Sequence, residues 1–513
     1  MGDLARHWVA ATQPIDLAKT IDYSRQAGDS ALAALAPADA LRYYAQALDL
    51  YPHMTEPDLV LGIDLAIGLG TAQRQTGDPT FRDTLLSAAR SALDMGDTDR
   101  LVAAALANNR GFFSAAGKLD TEKVEILESA LDRLSADVPD RALVLSTLCA
   151  ELCYGSPLER RQALADEALA IARSSGDDAI IVRVLSGTHF SLLVPPLLEQ
   201  SLTRSSEGLV RAQQLGDPVL VFFAAWARAT AVHRAGDIDE MDRAMATAKA
   251  TIERLAQPTL KWLYAYDSAM RAQLAGDTDR SEQLATEALQ IGADGGEPDA
   301  MIIFGGQFIS VHIQRGTLEE LIPLIEQAAA EAPDLAGVYA AVMAFAYAQA
   351  ERTEEARRQL EEFATANFDL PMDNTWLTGM TAYAEAAVHC GDPKLAGPIF
   401  DLLAPWSDQW STTGSTTGEG PVSRLLGGLA TVLDRYDEAT SYFAQSAAVS
   451  EQIEAKFLAA ETDLAWGNML VKRGAPGDAE RARDLLHKAH SAAVANGYGR
   501  IVRRAERALH ALR

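Results

Sequence analysis

The chain has 513 residues, a formal net charge of −26 at pH 7 and a pI near 4.7, with 48% hydrophobic and 23% charged residues. This length exceeds that of a single compact core and predicts several domains or one elongated array. The excess of carboxylates disfavours direct binding of nucleic acid, because a negatively charged surface repels a polyanion. Without a secretory signal or an apolar run of membrane-spanning length, the sequence predicts a cytoplasmic protein with no membrane partner.

Residues 1–50 are the first predicted segment. They contain the run "ALAALAPADALRYYAQALDL", which resembles the helical-repeat region of large actinobacterial regulators. We therefore predict N-terminal helices in this segment.

Two of the three cysteines, Cys149 and Cys153 in "TLCAELCYG", lie one helical turn apart. This spacing suits half of a metal or redox site, and it equally suits two small core residues on one helix face. Because no second Cys or His pair follows at ligand spacing, we predict core residues and no metal. For Cys390 we predict another buried thiol, like those of the close pair.

Residues 51–410 are predicted to form helical repeats, because one sequence unit recurs at 40-residue spacing at Gly236, Gly276 and Gly316. Runs such as "TLKWLYAYDSAMRAQLAG" have apolar residues at helical spacing, end at a glycine and precede a second amphipathic run. Each unit is thus a helical hairpin that buries its apolar face only by stacking on its neighbours. Related markers occur at Gly77, Gly176, Gly216, Gly391 and Gly477, and near Arg352 and Arg435. The predicted fold is all-α, an α-solenoid of stacked hairpins.

Local signals define the start of the second helix in each hairpin. Asp237 with Glu240, and Thr317 with Glu320, fit a capping box, while Asp277 provides a cap without the glutamate. Twelve residues beyond each glycine stands an alanine, which predicts a column of close helix contacts. These alanines are Ala248, Ala288 and Ala328.

The runs "RTEEARRQLEEF" and "RYDEATSYFAQSAAV" resemble the second helix of a tetratricopeptide repeat, although the period here is longer than is usual in that family. If the register of that family carries over, one set of side chains faces the concave groove of the central repeats. These groove residues are Trp226, Thr230, His233, Tyr266, Met270, Gln273, Ser310 and Gln314. The alternative is that the aromatic residues here form the core between helices, and we favour this for most of them.

Residues 411–423, "STTGSTTGEGPVS", are predicted to form a flexible loop. The composition is compatible with a phosphorylation site or a lid, and we favour a surface insertion that the fold tolerates. Residues 424–513 are predicted to form further repeats and a capping helix. Its basic run "GRIVRRAERALHALR" is compatible with a nucleic-acid arm, but we favour a cap with a solvated outer face.

The sequence has no recognisable catalytic or cofactor motif. "GFFSAAGKL" has the wrong spacing for a phosphate-binding loop, so we interpret it as a junction between helices. His487 and His490 share a helix face without further ligands nearby. We therefore predict a protein that is not an enzyme, with no catalytic residues, no metal and no cofactor.

Several phrases resemble the C-terminal helical-repeat region of large actinobacterial regulators. They include "DLARHWVAAT", "AIGLGTAQRQTGDP", "ALANNRGFFSAAG", "CAELCYGSPLERRQALADEALAIAR" and "LAPWSDQW". In these regulators the repeats follow an AAA or STAND-type ATPase, which is combined in some with an adenylate cyclase or a LuxR-type helix-turn-helix. The resemblance implies that residues 1–50 adjoin a nucleotide-binding module, and that the chain is a fragment or a member reduced to its repeats.

These observations predict a non-catalytic regulatory scaffold. It would bind a protein or peptide in a superhelical groove and couple that binding to an ATPase, a cyclase or a transcription regulator. The alternative is a sensor of a small-molecule inducer with an aromatic pocket in the central superhelix. An oligomer is compatible with either function.

Overall fold

The structure is a computed structural model that describes residues 16–255, 257–331 and 336–512. In these residues the chain forms 25 α-helices and one two-stranded β-hairpin. The first 15 residues of the predicted 1–50 segment lie outside the described part.

The helices follow one another along the chain, and neighbours in sequence pack on each other as hairpins. The first ten are α1 (Leu17–Ala33), α2 (Pro37–Leu50), α3 (Leu59–Thr76), α4 (Phe81–Met95), α5 (Thr98–Ala107), α6 (Thr121–Leu131), α7 (Pro139–Glu151), α8 (Leu158–Ser175), α9 (Asp178–Gly187) and α10 (Leu198–Leu215). The central ones are α11 (Pro218–Arg234), α12 (Ile238–Ile252), α13 (Pro258–Leu274), α14 (Thr278–Asp294), α15 (Ala300–Arg315), α16 (Ile322–Glu331) and α17 (Ala336–Gln349). The last are α18 (Thr353–Thr365), α19 (Trp376–Cys390), α20 (Pro393–Leu403), α21 (Val422–Val432), α22 (Tyr436–Gln452), α23 (Lys456–Arg473), α24 (Asp478–Asn496) and α25 (Gly499–Ala511). The predicted all-α solenoid is confirmed.

Short 3-10 turns and the hairpin complete the architecture. The turns are Tyr51–His53, Phe190–Leu192, Pro195–Leu197, Leu318–Leu321 and Ala404–Trp406. The strands are β1 (Trp410–Thr412) and β2 (Gly418–Pro421), which pair antiparallel between α20 and α21.

The repeat glycines end the first helix of each central hairpin, as predicted. Gly236, Gly276 and Gly316 have φ of 79°, 75° and 74°, in the left-handed region that a side chain disfavours. The two markers without a glycine, near Arg352 and Arg435, have an acidic residue in the left-handed conformation. Glu351 has φ of 59° and Asp434 has φ of 57°.

The predicted caps are confirmed at two of three sites. The carboxylates of Asp237 and Asp277 accept from the backbone N–H three residues on, that of Glu240 and Arg280 respectively. The capping box at Thr317 was wrong, because its hydroxyl lies 2.8 Å from Nδ1 of His312 and makes no cap bond. The carboxylate of Glu240 pairs with Arg228 and Arg243 and does not complete the box at Asp237.

The alanine column is buried at Ala248 and Ala288, which are 4% and 2% exposed, whereas Ala328 is only half-buried. Ala288 belongs to the same apolar cluster as Trp262 and Ala300. The first two central hairpins thus need a small residue at Ala248 and Ala288. The need is weaker at Ala328, where a 3-10 turn precedes the second helix of the hairpin.

Replacing Ala288 with leucine should lower the free energy of unfolding by about 1–3 kcal/mol, because the added methyl groups overpack this contact. The matched control is Gln290→Leu, since Gln290 lies exposed on the same helix and its side-chain amide donates to Asp294. Chemical unfolding of both variants measures the difference. Equal free energies of unfolding would show that Ala288 does not lie at a tight helix contact.

Both arms of the solenoid return to its middle. In the N-terminal arm, the turn at Gly77 lies so close to Gly295 that a Cβ on Gly77 would be 2.5 Å from the carbonyl oxygen of Gly295. In the C-terminal arm, the hydroxyl of Tyr498 donates to the carbonyl of Gly276 at 2.9 Å, and Arg503 donates to that of Gly316 at 2.9 Å. The superhelix is therefore closed on itself.

Candidate functional site

The groove residues lie on α11, α13 and α15, and the structure brings them together along one inner wall. Hydrogen bonds that join positions 41 residues apart connect these helices to their neighbours. Gln314 donates to the carbonyl of Gln273 at 2.8 Å, and Thr230 lies 2.6 Å from Nε2 of His189. The predicted repeat thus appears directly as a ladder of side-chain contacts.

Most groove residues are buried, and connecting segments of the chain cover them. Trp226 is 4% exposed and contacts the rings of Phe112 and Phe190, which lie on connections outside the long helices. Tyr266 is 5% exposed and packs on Trp262. These aromatic residues are core residues, as favoured in the sequence analysis, and their role in binding stays a prediction. The remaining groove residues are also buried except Gln273, which is half-buried; they are Thr230, His233, Met270, Ser310 and Gln314.

The segment predicted to be a flexible surface loop is instead a buried β-hairpin. We call residues 410–421 the groove hairpin. Trp410 and Ser411 are each 1% exposed and Thr412 is 0% exposed, although the segment is rich in Ser, Thr and Gly. The burial is possible because the polar groups find partners within the hairpin and on the groove wall.

Side chains of the groove wall bind the main chain of the groove hairpin. The amide of Gln273 donates to the carbonyl of Gly418 at 2.8 Å and accepts from its N–H at 3.1 Å. Gln307 donates to the carbonyl of Thr416 at 3.1 Å, and Arg234 donates to that of Thr412 at 3.3 Å. One wall of the groove therefore recognises an extended backbone through polar groups, the kind of contact by which sheets and grooves bind peptides.

Gly418 sets the steric limit of this contact. A Cβ at this position would lie 2.5 Å from the end of the Leu274 side chain and 3.1 Å from the ring of His233, so a side chain here would require Leu274 to move. His233 is fully buried, and neither ring nitrogen has a hydrogen-bond partner among the described residues. Burial, with a smaller contribution from Arg234 and Arg271, lowers the pKa of His233 to about 3. The imidazole is thus neutral at pH 7 and packs against Gly418 of the hairpin.

Two carboxyl groups bind the hairpin: the half-buried Glu419 lies within it, and the buried Asp267 lies on the groove wall. Glu419 accepts hydrogen bonds from Thr417 at 2.6 Å and from Ser411 at 3.1 Å, while burial raises its pKa. Burial also raises the pKa of Asp267 well above its usual value, and Trp226 and Ser415 donate to this group. These contacts explain how a polar sequence is accommodated in the interior.

A buried ion pair closes one side of the site. Nη2 of Arg110 lies 2.6 Å from Oε2 of Glu297, and Nη1 lies 3.5 Å from Oδ2 of Asp299. Burial raises the pKa of Glu297, and Arg110 acts against this rise. Arg110 immediately precedes the segment "GFFSAAGKL", which connects α5 and α6 as predicted. The ion pair joins this connection to the central repeats.

The cysteine prediction is confirmed for the close pair. Cys149 and Cys153 are fully buried, and their thiols donate to backbone carbonyls of Arg161 and Phe190. Burial raises the pKa of Cys149 to about 11, so the thiol stays protonated at neutral pH. Cys390 is only half-buried.

The sequence analysis predicted neither the groove hairpin, nor the carboxyl groups that bind it, nor the ion pair of Arg110 with Glu297. Gln307, Arg234 and Arg110 act on partners 109, 178 and 187 residues away. A possible signal was Trp410, a large aromatic residue at the edge of a segment otherwise composed of small polar residues. Among the helices that the structure describes, none is long and apolar enough to cross a membrane.

The chain matches no protein-family model, and no curated protein matches it. Among solved structures, one similar chain is a Rap protein complexed with competence and sporulation factor. The two chains are 11% identical with a TM-score of 0.43, over 85% of this chain and 98% of that one. A circular tandem repeat protein with novel repeat topology is 14% identical with a TM-score of 0.12, over 97% of this chain and 95% of that one. At these TM-scores neither similarity supports an inference about function.

Proposed function

We propose that the chain is a non-catalytic scaffold whose central groove binds an extended segment of polypeptide. The observation that carries this proposal is the paired hydrogen bond between the amide of Gln273 and the main chain of Gly418. The groove hairpin occupies the groove, and a partner segment with glycine at the equivalent position would take its place.

The contacts favour a polypeptide ligand because they address its backbone. Gln273, Gln307 and Arg234 all bind main-chain groups of the hairpin. Backbone contacts provide affinity in strand-like recognition, while steric pockets provide specificity. Here the specificity comes from the close approach of Leu274 and His233 to Gly418.

The regulatory part of the proposal is coupling between the groove and an attached module. The resemblance to actinobacterial regulators supports an ATPase, a cyclase or a transcription regulator as that module. Displacement of the groove hairpin would alter the connection between α20 and α21, because the hairpin links these two helices. A partner segment would thereby change the C-terminal half of the scaffold.

The test is binding of a labelled peptide with the sequence of residues 409–422, measured by fluorescence anisotropy. The receptor is a full chain in which a Gly-Ser segment of equal length replaces residues 411–420. We expect saturable binding to this variant and little binding to the unchanged chain, whose groove is occupied. Adding Gln273→Leu to the variant should weaken binding at least about tenfold, since two hydrogen bonds are lost.

Gln290→Leu in the same variant is the matched control, because Gln290 is exposed outside the groove. Circular dichroism shows whether each variant is folded. A folded variant that does not bind the peptide, or binds it equally with Gln273→Leu, would contradict the proposal.

A further inference from the structure

The C-terminal helix α25 carries four arginines spaced three and four residues apart, which places them on one face. We call Arg500, Arg503, Arg504 and Arg507 the arginine face. The sequence analysis favours a solvated outer face for this helix. Arg503 and Arg507 are exposed, in keeping with that expectation, whereas Arg500 is buried at 6% exposed.

The arginine face lines a cavity of about 460 Å³. Its other walls are the end of α15 at Gly316, the 3-10 turn at Leu318 and Glu319, and the end of α17 at Gln349. This volume lies within the range of about 300–1,000 Å³ of small-molecule sites. Four guanidinium groups therefore meet at this cavity together with the carboxylates of Glu319, Glu351 and Glu506, so its lining has one more positive than negative charge.

Arg500 has unpaired hydrogen-bond donors beside this cavity. Its Nη2 lies 2.5 Å from Oε1 of Glu461, but Nε and Nη1 are buried without a hydrogen-bond partner among the described residues. Buried N–H groups of a charged side chain are costly unless they are paired.

Glu351 shows that the arginine face accepts an oxyanion. Its carboxylate lies 3.0 Å from Nη1 of Arg507 and 3.6 Å from Nε of Arg504. The hydrogen bond from Arg507 and the charge of Arg504 lower the pKa of Glu351 to about 2. Glu351 has the left-handed backbone that glycine adopts at this point in the preceding hairpins. The carboxylate that already pairs with the arginine face thus belongs to a residue with a disfavoured backbone conformation.

The other charges leave part of the arginine face available. Arg500 shares Glu461 with Arg424, which also pairs with Glu385. Glu319 and Glu506 also line the cavity, but Glu506 lies 3.3 Å from His490. Arg503 donates to the carbonyl of Gly316 and to no carboxylate among the described residues.

We propose that the cavity is a binding site for a phosphate group, free or as a monoester, which the arginine face holds with Glu351 displaced. Guanidinium groups bind phosphate oxygens through paired N–H donors, and several of them balance the charge of a dianion. The remaining volume accommodates the organic part of a small phosphate ester. This site is separate from the groove and does not depend on the function proposed for it.

The test is isothermal titration calorimetry of the full chain at low ionic strength, with inorganic phosphate and with glycerol 3-phosphate as probes. We expect saturable binding of at least one probe. Tighter binding of the ester indicates an organic phosphate, and equal binding indicates the free anion. Arg504→Gln and Arg503→Gln should each weaken binding about tenfold or more, because each removes a charged donor.

Glu351→Gln should have the opposite effect and tighten binding, since it removes the competing carboxylate while its length is kept. The matched control is Arg358→Gln, which removes an exposed arginine of α18 outside the cavity. It should bind like the unchanged chain. The absence of binding by both probes, or equal affinities of the folded Arg504→Gln and Arg358→Gln variants, would overturn the proposal and leave the arginines as structural ion pairs.

Discussion

Replacing Trp410 with alanine should lower the free energy of unfolding by about 3–5 kcal/mol, the usual cost of removing a large buried aromatic side chain. Trp410 is 1% exposed and packs so tightly on the turn at Gly236 that a Cβ there would lie 2.7 Å from its indole nitrogen. It belongs to one apolar cluster with Val232 and Leu274. Chemical unfolding followed by circular dichroism gives the free energies to be compared.

The matched control is Leu324→Ala, because Leu324 is 61% exposed and should cost less than about 0.5 kcal/mol. If Trp410→Ala is as stable as this control, the groove hairpin is not anchored by its first residue. We also expect limited proteolysis to cleave Trp410→Ala within residues 411–420 faster than the unchanged chain, because the hairpin loses its apolar anchor.

The groove hairpin also shows where prediction from the sequence ends. Ser, Thr and Gly in "STTGSTTGEG" are typical of exposed loops, since their polar backbones usually need water. Here the side chains of Gln273 and Gln307 take the place of that water. They lie on helices more than 100 residues earlier in the chain. By contrast, the caps at Asp237 and Asp277 depend on atoms three residues away, and the sequence predicted them.

The groove residues illustrate the same limit. The register taken from the tetratricopeptide repeat assigned side chains of α11, α13 and α15 to one groove face. It could not predict that connections from other repeats, with Phe112 and Phe190, cover Trp226. A repeat pattern in the sequence shows which residues share a helix face. It does not show which distant segments pack over that face when the superhelix closes.

Replacing Arg110 with methionine should lower the free energy of unfolding by about 3–5 kcal/mol, because it leaves a buried carboxylate without its cation. The side chains of Arg110 and Glu297 are 5% and 4% exposed, and Asp299 lies beside them. Chemical unfolding at pH 7 measures this loss.

The loss should shrink as the pH falls towards 5. Burial already raises the pKa of Glu297 in the folded chain, and removal of Arg110 would raise it further. Falling pH then protonates Glu297 in the folded state before the unfolded state, which stabilises the variant relative to its value at pH 7. Arg90→Met is the control, because its pair with Glu122 is exposed and worth at most about 1 kcal/mol. Equal losses for Arg110→Met and Arg90→Met would contradict the prediction.

The closure of the two arms on the middle of the chain has a consequence for how the protein folds. In an open solenoid each repeat contacts only its neighbours, so end repeats fray and folding spreads locally from any nucleus. Here Tyr498 meets Gly276 across 222 residues, and Arg110 meets Glu297 across 187. Such contacts form only after large loops close, which raises contact order and slows folding. The terminal repeats should therefore exchange their amide hydrogens nearly as slowly as the central ones, and the chain should unfold as one cooperative unit.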